Sequence, residues 1–144
     1  MEEYDFISIC ETKLDDIDNN WITKEFSDMG FRAYVKNRKN LTNWRSGGVL
    51  VAVRNDLCKY ITQVEYTADF MIVLILDKGL FNFDKKIVFI TAYIPPYNTK
   101  YSTIDHFRTI SNLLLEYDPE DFYYLLVGDL NAHTSTETDL VIFR

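Results

Sequence analysis

Four short apolar runs constrain how this chain can fold: Val49 to Val53, Met71 to Leu76, Ile87 to Ala92 and Tyr123 to Val127. Each is rich in β-branched or aromatic residues and bounded by glycine or polar residues, the pattern of a buried strand. Asp5 to Cys10 reads as a further buried strand that begins almost at the first residue. Phe31 to Val35 alternates like a strand, and Tyr60 to Tyr66 alternates like a more exposed one. Met71–Leu76 and Ile87–Ala92, joined across a glycine-containing turn region, predict a hairpin.

Helices fall between these runs. Ile22 to Met29 reads as one, stopped by Gly30. The clearest helix follows Pro95-Pro96. Ser102 or Thr103 is placed to cap it, Ile104, Phe107, Ile110, Leu114 and Tyr117 recur on one face, and Asp118-Pro119 ends it. Mixed strands with a few helices predict an α/β or α+β sandwich of layers. With 144 residues, 47% of them hydrophobic, the chain reads as a single globular domain, residues 1–144.

Bulk properties exclude several classes. The net charge of −7 argues against a surface that grips nucleic acid by charge everywhere, while leaving room for a local basic patch. Lys36, Arg38, Lys39 and Arg45 form such a patch, with no acid among residues 36 to 46. Cys10 and Cys58 make no disulfide framework, and with His106 and His133 they show no paired zinc-ligand spacing. The start, Met-Glu-Glu-Tyr-Asp, is acidic where a signal peptide needs a basic region, and the apolar run Phe70 to Leu76 is too short to span a bilayer. The expectation is an intracellular chain, not secreted, with no membrane partner, for which the nucleus is one compartment. The glycosylation sequon Asn40-Leu41-Thr42 is then idle.

Chemistry-bearing residues gather where apolar strands end. The first strand runs into Glu11-Thr12, the Ile87–Ala92 strand into Tyr93-Ile-Pro-Pro96, and the last into Gly128-Asp129-Leu130-Asn131. A side chain at a strand end is held rigidly yet reaches solvent. Glu11 offers the hard oxygen that Mg²⁺ favours, since one or two carboxylates with waters suffice. On an extended backbone Asp129 and Asn131 point the same way; a carboxylate orients water, and an amide holds a phosphoryl oxygen without added repulsion. Gly128 permits a sharp turn there. Singly, each feature also reads as an ordinary strand end, turn or wet loop; jointly and in order they point to a divalent-metal phosphodiesterase site.

Four stretches carry a resemblance. They are Asp5 to Leu14 (DFISICETKL), Ser46 to Arg54 (SGGVLVAVR), Ile90 to Pro96 (ITAYIPP) and Leu126 to His133 (LVGDLNAH). Together and in this order they resemble the endonuclease/exonuclease/phosphatase superfamily, most of all the apurinic-type endonuclease domain of non-LTR retrotransposons. The resemblance implies an α/β fold, a four-layer sandwich of two mixed β-sheets flanked by helices, with the site at one end. It implies a Mg²⁺-dependent DNA endonuclease, with Mn²⁺ as a substitute metal. Glu11 would ligate the metal, Tyr93 would contact the scissile phosphate, Asp129 would direct the attacking water, and Asn131 would hold the phosphate. His133 falls where the retrotransposon branch often has histidine. Lys36, Arg38, Lys39 and Arg45 would contact DNA phosphates beside the site.

Relative to that family the chain lacks the earlier Asn-bearing strand, an intermediate Asp-containing region and the closing Ser-Asp-His. It therefore reads as the middle of the domain, incomplete at its N- and C-termini, with unpaired sheet edges. Two other readings follow: a non-catalytic fragment that binds DNA or protein, and a phosphatase or phospholipase of the same superfamily.

Overall fold

The computed structural model describes residues 4–39, 45–97, 99–102 and 104–132. Seven strands and two α-helices follow in the order β1 (Phe6–Cys10), α1 (Asn19–Asp28), β2 (Phe31–Lys36), β3 (Val49–Arg54), β4 (Ile61–Val64), β5 (Met71–Leu76), β6 (Lys86–Tyr93), α2 (His106–Leu114) and β7 (Phe122–Asp129), with short 3₁₀ turns between some of them. Every expected strand forms. Tyr60–Tyr66 is the one that shortens most, to the four residues of β4.

The strands build two sheets, of order β1-β3-β2 and β4-β5-β6-β7. The first is wholly antiparallel, because β1 and β2 both run against β3. The second is mixed: β5 pairs antiparallel with β4 and β6, and β7 lies parallel to β6. Only one of the two sheets is therefore mixed. The parallel pair needs a long crossover, and α2 supplies it.

Alternation along the strands sorts side chains into three apolar layers. Val49, Val51 and Val53 of β3 meet Ile72, Leu74 and Leu76 of β5 and Ile87 and Phe89 of β6 between the sheets. The opposite face of β3, Leu50 and Ala52, is covered by Phe26 and Ile22 of α1. The opposite faces of β5 and β6, with Met71, Val73, Val88 and Ile90, are covered by Ile110 and Leu113 of α2. The result is four layers, helix on sheet on sheet on helix.

Helix α2 departs from expectation in its first turn. Its cap is Asp105, whose side chain accepts from the Arg108 N–H at 3.0 Å. Of the caps expected, Thr103 lies outside the described residues and Ser102 instead bonds the Thr99 carbonyl at 2.7 Å. The later start turns the buried face onto His106, Ile110 and Leu113. Ile104 and Phe107, expected inside, are half exposed.

Among the described residues, β1 pairs only with β3 and β7 only with β6. Both are edge strands, and Ile9, Tyr123, Tyr124 and Leu125 on them are exposed. Ser8 of β1 and Thr91 of β6 share a hydroxyl hydrogen bond, and the Cys10 thiol donates to the Ala92 carbonyl at 3.5 Å. These contacts tie the end of β1 to the end of β6 across the sandwich.

Candidate active site

The site assembles where β1, β6 and β7 end together. Tyr93 and Asp129 are direct register partners at the ends of β6 and β7. The Ile94 N–H then donates to the Asp129 carbonyl at 2.9 Å, so the two chains leave the sheet side by side. Glu11 follows β1 immediately. Its carboxylate reaches the Lys13 ammonium at 3.7 Å in an exposed, weak pair.

Tyr93 feels the charges of the groups around it. Burial pushes the Tyr93 phenol above its ordinary pKa, and the charges of Glu11 and Asp129 push it further, against the opposing Arg38 guanidinium. Burial likewise raises the Cys10 thiol, whose neighbour is Asp129. Tyr93 is therefore a protonated hydrogen-bond donor across neutral pH, beside two carboxylates.

Gly128 does not make the expected turn. It sits within β7 at φ +127°, and a Cβ there would lie 2.0 Å from the Ala92 carbonyl oxygen of β6. Glycine is what lets the two strands stay in register up to Tyr93 and Asp129. The bend comes later, at Asn131, with φ +43°. The backbone is thus not extended from Asp129 to Asn131, and the expected alternation does not orient them. Instead the Asn131 N–H donates to Asp129 Oδ1 at 3.1 Å, and its side-chain Nδ2 donates to the Ile94 carbonyl at 2.7 Å. Such a local Asx-type bond tolerates left-handed backbone. Among described non-glycine residues, Glu11, Lys13, Asn82 and Asn131 have positive φ, so three of four cluster at this end. Sparsely populated backbone of this kind concentrates at functional sites.

The donor set suits a water-rich Mg²⁺. Glu11, Asp129 and the Asn131 amide oxygen are hard donors, and Mg²⁺ usually keeps several waters around one or two carboxylates. Among the described residues no group of three or more His, Cys, Asp and Glu could hold a metal by itself. Of these, the Glu11 carboxylate could hold such an ion.

Comparison with solved structures identifies the architecture. A humanized D. rerio TDP2 carrying 14 mutations aligns with a TM-score of 0.52 at 14% identity, covering 90% of this chain and 53% of that one. D. rerio TDP2 complexed with a single-strand DNA product gives 0.51 at 15%, covering 91% and 49%. The human Nocturnin catalytic domain with a bound sulfate anion gives 0.50 at 9%, covering 91% and 52%. The chain shares the fold of these structures, an α/β sandwich of two sheets with helices. It spans about half the length of each of these structures. No protein-family profile and no curated protein sequence matches it.

Within this fold the basic stretch divides. Lys36 Nζ donates to the Tyr66 carbonyl at 2.7 Å, and Arg45 pairs with Asp18 at 2.7 Å. The Lys39 N–H bonds the Asp69 carboxylate at 2.9 Å. Arg38 is buried, only 8% exposed, with its guanidinium carbon 5.1 Å from the Tyr93 ring centroid and 4.2 Å from that of Tyr101. His133 lies outside the described residues. Sequence reasoning missed Ser8, Thr91 and Tyr101 as the supports of the site. No short-range pattern links them to it, although an aromatic beside Lys100 in the polar loop after two prolines was a visible hint.

Proposed function

We propose that this chain belongs to a Mg²⁺-dependent phosphodiesterase that cuts DNA, of the endonuclease type carried by non-LTR retrotransposons. The observation that carries the reading is the convergence of Glu11, Tyr93, Asp129 and Asn131, from the ends of strands in both sheets, at one end of the sandwich. A scissile phosphate set there meets a phenol donor at Tyr93 and an amide at Asn131. Its attacking water meets the Asp129 carboxylate, which orients it for in-line displacement. Bound at Glu11, the metal would neutralise phosphate charge and favour departure of the leaving oxygen. The single-strand DNA product in one TDP2 structure and the sulfate in Nocturnin support a phosphate-diester substrate for this fold.

Supercoiled plasmid nicking tests the proposal. The purified chain is incubated with Mg²⁺, with EDTA, and as Asp129→Ala. Nicking that needs both Mg²⁺ and Asp129 is the expected result. Retained DNA binding with no nicking under any condition would instead make the chain a binding fragment.

A further inference from the structure

A cleft of about 220 Å³ is lined by Arg38, Lys39, Asp69, Lys100, Tyr101 and His106, and Arg38 also stacks on Tyr93. Arg38 and Lys39 follow β2, Asp69 precedes β5, and Lys100 and Tyr101 belong to the crossover toward α2. Three cations thus meet one carboxylate in a chain whose net charge is −7. That carboxylate, Asp69, already accepts the Lys39 N–H at 2.9 Å.

Arg38 is built into the wall. Its guanidinium lies against the Tyr93 and Tyr101 rings, and it runs so close to the backbone that a Cβ on Gly47 would lie 2.4 Å from its Nε. Its Nη1 makes one long contact, 3.5 Å to Ser46 Oγ, and its Nη2 is buried with no hydrogen-bond partner. No carboxylate pairs with it among the described residues. A buried cation with an unanswered N–H, stacked so that its planar fork cannot swing away, is preorganised for a bidentate oxyanion.

We propose that this cleft is a second anion subsite, and that it takes the backbone phosphate next to the scissile one. Arg38 links the two sites: it lines the cleft and lies over the ring of Tyr93, whose phenol serves the scissile phosphate, and this fixes their spacing. The inference rests on the phosphodiesterase reading above and adds that Arg38, Lys39 and Lys100 position the strand.

The test measures binding of a labelled eight-residue thymidine oligonucleotide by fluorescence anisotropy, in EDTA, across a salt series. Arg38→Gln is expected to weaken binding by roughly tenfold, the loss of one charge-assisted bidentate contact. It should also lower the slope of log affinity against log salt by about 0.7, one phosphate on a single strand. The double variant Lys39→Gln, Lys100→Gln, which leaves the buried guanidinium in place, should lower the slope by at least as much. It carries the test if Arg38→Gln fails to fold. Inorganic pyrophosphate should compete for the wild type and compete less well for the double variant. Wild-type nicking together with unchanged affinity and slope in the variants would overturn the subsite alone. A wild type that neither nicks nor binds would overturn the phosphodiesterase reading, and the subsite with it.

Discussion

Replacing Gly128 with alanine should separate β7 from β6 and disable the site, and its cost can be worked from the structure. At φ +127° the backbone is in a region that side chains rarely adopt, which costs about 1–3 kcal/mol. The new Cβ would also lie 2.0 Å from the Ala92 oxygen and 3.0 Å from the Ala92 nitrogen and carbonyl carbon. Those atoms are strand backbone and no rotamer change moves them. Ordinary contact begins at 3.4 Å, so the strands must part by about 1.4 Å. Parting breaks one or two ladder bonds, each worth about 1 kcal/mol. The total is about 2–5 kcal/mol, or a melting temperature lower by roughly 6–15 °C for a chain of this size. Gly30→Ala is the control. Gly30 also has positive φ, +89°, but a Cβ there meets nothing within 4 Å. It should lose only the backbone term, about 1–2 kcal/mol. Urea unfolding of both variants decides the matter. Because Asp129 follows Gly128 directly, nicking should fall further than the loss of folded protein accounts for. Equal destabilisation by the two substitutions would refute the steric argument.

Other outcomes follow from single side chains. Leu74, fully buried between the sheets, should cost about 2–5 kcal/mol as alanine in urea unfolding. Tyr93→Phe keeps the ring under Arg38 and removes the donor, so nicking should drop roughly 100-fold while the melting temperature holds. Since burial and the nearby carboxylates raise the phenol, wild-type nicking should not decline through loss of this proton below about pH 10. Glu11→Gln should abolish thermal stabilisation by Mg²⁺, which for the wild type at tenfold over its Kd is about 1.4 kcal/mol. His106 is held below its ordinary pKa of 6.5, first by burial and also by Arg38, against the Ile104 backbone bond and the Asp69 and Asp105 charges. The unfolded chain then binds a proton that the folded one resists. Stability should be full above about pH 6.5 and fall as the pH drops below it, less steeply in His106→Gln.

The layers were legible because burial leaves a one-dimensional trace. Val49 to Val53, Met71 to Leu76 and Ile87 to Ala92 are apolar on both strand faces, and each proved to be covered on both. The candidate site residues were legible for a related reason: Glu11, Tyr93 and Asp129 each close an apolar run, so finding the strands located the candidates. What failed was geometry that depends on distant partners. Periodicity put Phe107 inside, but the Asp105 cap starts α2 two or three residues later and His106 packs there against Phe70, ring centroids 4.6 Å apart. Alternation aligned Asp129 with Asn131, but a side-chain-to-backbone bond between them outweighs the extended backbone that the rule assumes.

The basic stretch shows how far composition carries and where packing takes over. Lys36, Arg38, Lys39 and Arg45 look alike in sequence, and charge alone assigns all four to phosphate. Folding sets them apart. A backbone carbonyl occupies Lys36, and Asp18 neutralises Arg45. Each of these fixes a loop to the protein, which a residue reserved for DNA would not do. Arg38 receives no such partner, although it is the most buried of the four. Burying a charge without a counter-ion is costly unless something outside the chain supplies one. Two tyrosine faces lower that cost by cation–π attraction but leave the N–H edge unanswered. The fold keeps that guanidinium over the ring of Tyr93, next to the carboxylates on which the proposed chemistry depends, and a phosphate is the partner whose charge and shape complete its open edge.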